Sequence, residues 1–319
     1  MTRKLLIMAL VLIALWGGWY LYSSSERATL SVKERTDFFW VDTLSVDSAA
    51  FKYADWTHLA KRDGRWYVKR PTYEYPADEN LLSKIIATTN GMVLENVIST
   101  NAAKLSKFEV DTTHGRVMQF FSGGRPLAEF VIGKLGAALV DTYVRQLQSD
   151  SVFMARGKFQ QLYTMMPDQW KSRIVFDVDS SQVDTIRWVY PGGETRLARG
   201  ADRIWTAWEP GITAPAPVDT AVLNAKLTQI CPLRTNNFHP EGNPDVPTFD
   251  TLGLQLIVVA NDGRADTLVY NIPGEGSGKV YARRPGRPEP TFLFYKTAYD
   301  KLVTHYEDLI VKDTTASSS

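Results

Sequence analysis

Three residues in the second half of the chain could hold a metal ion. His239, Glu241 and Asp245 offer the imidazole nitrogen and the carboxylate oxygens that bind divalent metals in proteins. Pro240 and Pro244 interrupt the same stretch, however, and this pattern is typical of an irregular, solvated loop. We therefore favour a loop, and we predict neither a metal site nor a bound cofactor.

Residues 274–279, with the sequence GEGSGK, resemble a phosphate-binding loop at first sight. A P-loop requires a glycine five positions before the glycine that precedes its lysine, and a serine or threonine directly after that lysine. Pro273 and Val280 stand at those two positions, and no helical pattern follows them. The segment is predicted to be a turn between two strands.

The remaining titratable candidates have plain structural interpretations. Asp111 could orient His114 as a general base, but no serine or cysteine nucleophile stands beside them, which favours a surface turn. Cys231 is the one cysteine, which excludes an intramolecular disulfide. Its place between an apolar helix and a proline predicts a buried, inert thiol. We assign no catalytic residue and predict that the chain is not an enzyme.

The charge of the chain argues against a nucleic-acid partner. The 319 residues carry 36 basic and 35 acidic side chains, whereas a nucleic-acid binder needs a clustered basic excess. Arg283, Arg284 and Arg287 form a basic hairpin tip that could contact lipid headgroups or a partner protein. An exposed turn with ordinary charges is the default interpretation of that tip. A hydrophobic share of 44% excludes a disordered chain.

The N-terminus predicts a membrane anchor. Residues 5–22 begin at Leu5, contain no charged side chain and follow Arg3 and Lys4. A helix of this length spans about 27 Å, enough for a thin hydrocarbon core. Four aromatic residues gather at its far end, as expected in the headgroup layer: Trp16, Trp19, Tyr20 and Tyr22. The basic residues favour a cytoplasmic location for residues 1–4.

A cleaved signal peptide is the alternative interpretation of this segment. Its apolar region would be shorter, roughly 7–15 residues, and would end in small residues rather than in bulky aromatic ones. We therefore favour an uncleaved signal anchor followed by a linker over residues 23–42. The chain is then a single-pass protein of the cytoplasmic (inner) membrane whose bulk is extracytoplasmic, in the periplasm.

An internal repeat follows the linker. Trp66 and Trp205 lie 139 residues apart, and Tyr143 and Tyr281 lie 138 residues apart. Five such correspondences keep the same order along the chain, which chance similarity would not do. We predict a first unit over residues 43–178, a second over 179–312 and a flexible tail over 313–319.

The predicted elements of both units are hairpins with a few packed helices. Asp-Gly and Gly-Gly pairs predict tight turns at residues 63–64, 123–124 and 262–263. One helix should begin behind Asp78 and another behind Asp219, because aspartate accepts hydrogen bonds from the first free helix amides. Apolar residues at i, i+3, i+4 and i+7 predict a closing helix in each unit, over residues 159–166 and 299–306. The fold class is therefore α+β, two tandem related modules of mostly antiparallel sheet.

Four short motifs follow one another in the first unit: a tryptophan strand, a Pro-Ala-Asp helix start, an Ile-Gly-Lys strand end and a Tyr-Val-Arg hairpin. This ordered set resembles the bacterial domain of unknown function 4340 family. The residues that carry the resemblance there are Trp66, Tyr75, Pro76, Ala77, Asp78, Gly133, Tyr143 and Arg145. The second unit matches more weakly, through Trp205, Pro217, Asp219 and Tyr281. We expect these residues to be structural.

The resemblance implies a membrane-anchored envelope protein, of a kind often encoded beside ABC transporters of the gliding-motility type. It transfers no catalytic residue. We therefore expect a non-catalytic accessory protein that binds a membrane or envelope partner, such as an ABC transporter subunit. Two alternatives stay open: a hydrolase that acts on envelope material, and a module that binds glycans or lipids.

Overall fold

The computed structural model describes residues 38–243, 245, 247–249, 252–272, 274 and 276–311. They form two compact units, one of residues 38–69 and 79–170 and the other of residues 70–78 and 171–311. The predicted anchor, with Leu5, Trp16, Trp19, Tyr20 and Tyr22, lies outside the described residues, as does the whole predicted tail over 313–319. None of the described helices is long and apolar enough to cross a membrane.

The described residues contain mostly strands. The first ten are β1 (Ser48–Lys52), β2 (Trp56–Arg62), β3 (Arg65–Lys69), β4 (Glu74–Pro76), β5 (Leu94–Ser99), β6 (Arg116–Ser122), β7 (Arg125–Leu135), β8 (Asp141–Gln146), β9 (Val152–Arg156) and β10 (Ile174–Phe176). The others are β11 (Val183–Tyr190), β12 (Gly193–Arg199), β13 (Trp205–Trp208), β14 (Ala216–Pro217), β15 (Leu233–Arg234), β16 (Asn237–Phe238), β17 (Leu252–Ala260), β18 (Ala265–Asn271), β19 (Lys279–Arg283) and β20 (Phe292–Tyr295).

Helices are few and short. The α-helices among the described residues are α1 (Glu79–Asn90), α2 (Thr220–Ile230) and α3 (Lys296–Leu302). Short 3₁₀ helices occur at Ala102–Lys104, Ser106–Phe108, Gln160–Tyr163, Pro167–Trp170, Ser180–Gln182 and Tyr306–Asp308. The predicted α+β class with mostly antiparallel sheet is confirmed.

The first unit is built on one antiparallel sheet. Its strands run in the order β3-β2-β1-β6-β7-β8-β9-β5. Because successive side chains of a strand point to opposite faces, a strand with one face on the core buries alternate residues. β2 buries Thr57 and Leu59 in this way, whereas β7 buries consecutive residues that include Phe130. The helix α1 buries Ile85 and Ile86.

The second unit contains a sheet with the corresponding strand order. It runs β14-β13-β12-β11-β17-β18-β19-β20-β16, and a separate two-stranded ladder joins β10 to β15. Trp188, Leu256, Tyr270 and Phe294 lie in its core. Tyr75 of β4 belongs to the same core, so a segment from the middle of the first half of the sequence packs in the second unit.

The hairpin turns were predicted correctly, whereas the closing helix of the first unit was not, and that of the second unit was correct only in part. Residues 63–64, 123–124 and 262–263 connect β2 to β3, β6 to β7 and β17 to β18. The closing helix predicted over residues 159–166 is wrong, because the chain forms the 3₁₀ helices Gln160–Tyr163 and Pro167–Trp170 instead. Pro167 disfavours α-helical geometry at the residue before it. In the second unit, α3 ends at Leu302 and a 3₁₀ helix begins at Tyr306.

Candidate functional site

A buried lysine lies within one set of polar and charged groups of the second unit, the Lys171 cluster, which consists of Arg70, Tyr73, Lys171 and Glu241. Lys171 directly follows the 3₁₀ helix Pro167–Trp170, and its backbone forms an antiparallel bridge to Ala77. This pairing carries the lysine into the protein interior, where its side chain is 0% exposed. Glu241 approaches from a turn that follows β16.

All three donors of the Lys171 cluster converge on one carboxylate. Lys171 Nζ lies 2.7 Å from Glu241 Oε1, and Arg70 Nη2 lies 2.6 Å from Glu241 Oε2. The Tyr73 hydroxyl donates to Glu241 Oε1 and accepts from Lys171 Nζ. The ammonium also lies 5.0 Å from the centroid of the Tyr73 ring and 5.3 Å from that of Phe238, within cation–π range.

The pKa of the Glu241 carboxyl reflects these contacts. Burial by itself raises this pKa, but hydrogen bonds from Lys171, Tyr73 and Arg70 outweigh burial and lower it to about 2. Glu241 is therefore a stable anion at neutral pH. A carboxylate with so low a pKa is a poor general base or acid at neutral pH.

The geometry of the cluster favours a structural role. The Lys171 amine would need access to a substrate to act as a nucleophile or proton donor, and its side chain is fully enclosed. Its charge and that of Arg70 are instead used to hold Glu241, and with it the turn after β16. Charge-assisted hydrogen bonds of this kind fix the geometry of the groups they join.

The possible metal ligands of the sequence do not come together. The His239 ring packs edge-on against Tyr281 at 5.5 Å between ring centroids, and the Asp245 amide donates to Asn243. No group of three or more His, Cys, Asp or Glu side chains within the described ranges is placed to hold a metal ion. Glu241 lies on an exposed turn, as a solvated loop predicts, but its carboxylate also contacts the buried Lys171.

Two other sequence candidates lie where they were expected. Asp111 and His114 form a contact of 3.0 Å on an exposed turn, and the His114 side chain is 59% exposed. Cys231 is a buried free cysteine, and burial, with a contribution from Asp179, raises the pKa of its thiol to about 11. A thiol with so high a pKa is almost entirely protonated at neutral pH and hence a weak nucleophile.

Arg284 corrects the prediction of an exposed basic tip. Its side chain is only 9% exposed and forms ion pairs with Asp266 and Glu289, at 3.0 and 2.7 Å. It also donates to the Val175 carbonyl oxygen. The guanidinium therefore ties the β18–β19 region to β10 and is unavailable to a lipid headgroup.

A groove of about 340 Å³ lies elsewhere in the second unit, between β15, the end of β20 and α3. Buried Leu233, Phe294 and Leu302 form its floor. Exposed Arg234 and Lys301 lie among its lining residues. Sequence reasoning did not find it, because its lining residues come from segments some 70 positions apart and share no motif.

Comparison with known proteins identifies the family. A family model described as a domain of unknown function (DUF4340) matches residues 66–255, more than half of the 319 residues. The chain belongs to this family. No curated protein and no solved structure shows significant similarity to it.

The family motif residues of the first sheet include a close backbone approach and a buried cation. A Cβ atom on Gly133 would lie 2.4 Å from the Phe108 carbonyl oxygen, so only glycine fits there. Arg145 is 5% exposed and donates to the Val110 carbonyl oxygen at 2.8 Å. It also donates to the carbonyl oxygens of residues 146, 147 and 149. The ring of Tyr143 packs on Phe108 at 4.8 Å between centroids.

The Tyr-Pro-Ala-Asp motif and Trp66 are built into the packing. The buried Tyr75 ring contacts Phe238 and Phe292, and its hydroxyl donates to the Ile174 carbonyl oxygen at 3.4 Å. The carbonyl oxygen of exposed Pro76 accepts from the Ser172 amide at 2.8 Å, and Ala77 is buried. Asp78 directly precedes α1. Trp66 is buried on β3, and its amide donates to Glu79.

The motif residues of the second unit that lie within the family match are arranged similarly. Asp219 is the N-cap of α2, and its carboxylate accepts from the amides of Ala221 and Val222 at 2.8 and 3.2 Å. Pro217 is exposed on β14, and Trp205 is half-buried beneath Arg199. Tyr281 lies beyond the matched residues and contacts His239.

Proposed function

We propose that this DUF4340 family member is a non-catalytic, membrane-anchored accessory protein that acts outside the cytoplasm. In this account its two units are related modules that bind a membrane or envelope partner. The partner class that the family resemblance supports is a subunit of an ABC-type transport system of the gliding-motility type.

The closed Lys171 cluster is the observation that supports a non-catalytic role most directly. The cluster brings a buried amine, a phenol and a carboxylate together, which is the kind of set an active site would use. Each of these groups is engaged by another group of the cluster, and the lysine side chain is fully enclosed. The set therefore stabilises the second unit rather than meeting a substrate.

The sequence of residues 5–22 supports the anchor. An uncharged run of this length behind Arg3 and Lys4 favours insertion with the remaining chain outside the cytoplasm. The matching strand order of the two sheets supports their origin as copies of one module. A tandem pair held at the membrane surface offers a large area for binding a neighbouring membrane protein.

Co-purification tests the accessory role. The full chain, tagged at its C-terminus and expressed at its native level, is purified from membranes solubilised in a mild detergent. We expect a membrane protein to be recovered in a fixed ratio to the chain. A chain that is recovered alone, as a monomer, would contradict the proposal.

The open alternatives predict different results. An envelope hydrolase would release soluble fragments from isolated envelope material, and an Asp or Glu variant would abolish the release. A glycan- or lipid-binding module would be retained on immobilised envelope polymers or vesicles without any protein partner. Either result, with no co-purifying protein, would replace the accessory role.

A further inference from the structure

The groove of the second unit has an unbalanced set of charges. Arg234 and Lys301 are among its lining residues, and no acidic side chain lines it. Asp300, next to Lys301 in α3, is already paired with Lys296 at 2.7 Å. Among the described residues, neither Arg234 nor Lys301 has an ion-pair partner within 4.0 Å. Two cationic side chains without ion-pair partners beside a cavity attract an anion.

A third cation, Lys226, makes the electrostatic potential of this region more positive. Lys226 Nζ donates to the Lys301 carbonyl oxygen at 2.9 Å and so lies beside the groove. Burial lowers the pKa of the Lys226 ammonium, and the negative charge of Asp308 acts in the opposite direction. The positive field on the α3 side of the groove therefore has two sources, Lys226 and Lys301.

Neutral lining groups add directional donors and a flat apolar surface. The Asn236 side-chain oxygen accepts from the Tyr295 amide at 2.9 Å, which leaves the NH₂ of Asn236 as a donor. Gln229 and Thr297 contribute an amide and a hydroxyl. Tyr295, which is 52% exposed, is a further lining residue and has an aromatic side chain.

From these features we propose that the groove binds a small acidic sugar. Its carboxylate or phosphate pairs with Arg234 and Lys301, since both cations donate charge-assisted hydrogen bonds. Its hydroxyls bond to Asn236 and Gln229, and the C–H face of the ring lies on Tyr295. A volume of about 340 Å³ is at the lower end of the range for ligand sites, roughly 300–1,000 Å³, and fits one or two sugar rings.

This inference does not depend on the accessory role, and the two can fail separately. The purified full chain in detergent is titrated with D-glucuronate, D-glucose and inorganic phosphate, and binding is followed by ligand-observed NMR. We expect glucuronate to bind with a Kd of roughly 0.1–1 mM, as a few polar contacts supply. Glucose and phosphate should each bind at least about fivefold more weakly than glucuronate, because glucose lacks the negative charge and phosphate lacks the sugar ring.

Variants separate the two parts of the site. Arg234→Gln combined with Lys301→Gln should weaken glucuronate binding about tenfold or more, the loss of one charge-assisted hydrogen bond or more. Tyr295→Ala should weaken glucuronate binding about threefold and leave phosphate binding unchanged. Lys61→Gln combined with Lys107→Gln removes the same charge from exposed sites of the first unit and should have no effect. Unchanged thermal unfolding verifies that each variant is folded.

Three outcomes would overturn the inference. Glucuronate binding that the Arg234/Lys301 variant leaves unchanged would place the anion elsewhere. Phosphate binding as tight as glucuronate binding, unaffected by Tyr295→Ala, would show an anion site without sugar recognition. No saturable binding of glucuronate up to about 20 mM, well above the Kd expected from so few polar contacts, would show that the groove is unoccupied by this class of ligand.

Discussion

A buried lysine is costly to keep in a protein interior, and the Lys171 cluster shows how this chain offsets that cost. The Glu241 carboxylate supplies a counter-charge, and the Tyr73 ring supplies a cation–π contact. Breaking a buried pair by removing one partner is strongly destabilising, whereas replacing both partners by uncharged groups costs much less. The cluster can therefore be tested by single and double substitution.

We expect Glu241→Gln to lower the free energy of unfolding by about 2–4 kcal/mol, because it removes a counter-charge that contacts the buried Lys171 ammonium. Breaking a fully buried ion pair would cost more, and we expect a smaller loss here because the Glu241 side chain is 31% exposed. The double variant Lys171→Met/Glu241→Gln should recover at least half of that loss. Urea unfolding of the three proteins measures both effects. A double variant less stable than Glu241→Gln would argue against an electrostatic role for the pair.

The pH dependence of stability provides a second check on the same carboxylate. The pKa of Glu241 falls from its ordinary value of 4.5 in the unfolded chain to about 2 in the folded one. Its contribution to stability is therefore complete above about pH 5 and is lost as the pH falls from 4.5 towards 2. Over this interval, the stability of the wild-type protein should fall more steeply than that of Glu241→Gln. Parallel curves for the two proteins would show that this carboxyl group is not linked to folding.

At the scale of elements, packing around β7 depends on one glycine. A Cβ atom at Gly133 would lie 2.4 Å from the Phe108 carbonyl oxygen and 2.6 Å from a methyl carbon of Val110. We expect Gly133→Ala to lower the free energy of unfolding by about 2 kcal/mol or more, since backbone must move to admit the methyl group. Gly192→Ala is the matched control, because open space surrounds that position and the change should stay within about 0.5 kcal/mol. Equal stability of the two variants, measured by urea unfolding, would refute the close approach.

Local signals explain which elements could be predicted from the sequence. Asp63 and Gly64 adopt positive φ angles of 48° and 80° in the turn between β2 and β3, a geometry that their residue types favour. The helix behind Asp219 was likewise predictable, because its cap is formed by residues adjacent in sequence. The prediction of a closing helix in the first unit was wrong. Pro167 directly follows the apolar residues of that segment and disfavours α-helical geometry at the residue before it.

The candidate sites were much less predictable. Arg70, Tyr73, Lys171 and Glu241 come from three distant parts of the sequence, and no spacing rule connects them. Tertiary pairing brings the first two parts together: Lys171 bridges to Ala77, and the Ser172 amide donates to the Pro76 carbonyl oxygen. Lys171 directly follows Trp170 in a stretch that also contains Asp168 and Arg173, so its local sequence gives no sign of burial.

At the scale of the whole molecule, the chain consists of two units whose sheets share one strand order. The near balance of 36 basic and 35 acidic residues leaves the whole chain with a formal net charge of only +1 at pH 7. Family membership, the enclosed Lys171 cluster and the apolar run at residues 5–22 support the same account: an anchored, non-catalytic protein that binds a membrane partner outside the cytoplasm.

Crosslinking in intact cells tests that account most directly. Cells with a permeable outer layer and an intact cytoplasmic membrane are treated with a membrane-impermeable, amine-reactive crosslinker, and the tagged chain is purified under denaturing conditions. We predict that the chain reacts through exposed lysines such as Lys61 and Lys107 and is recovered joined to an integral membrane protein, in particular a transporter subunit. A chain that reacts only after the cytoplasmic membrane is disrupted, or that is never joined to another protein, would contradict the account.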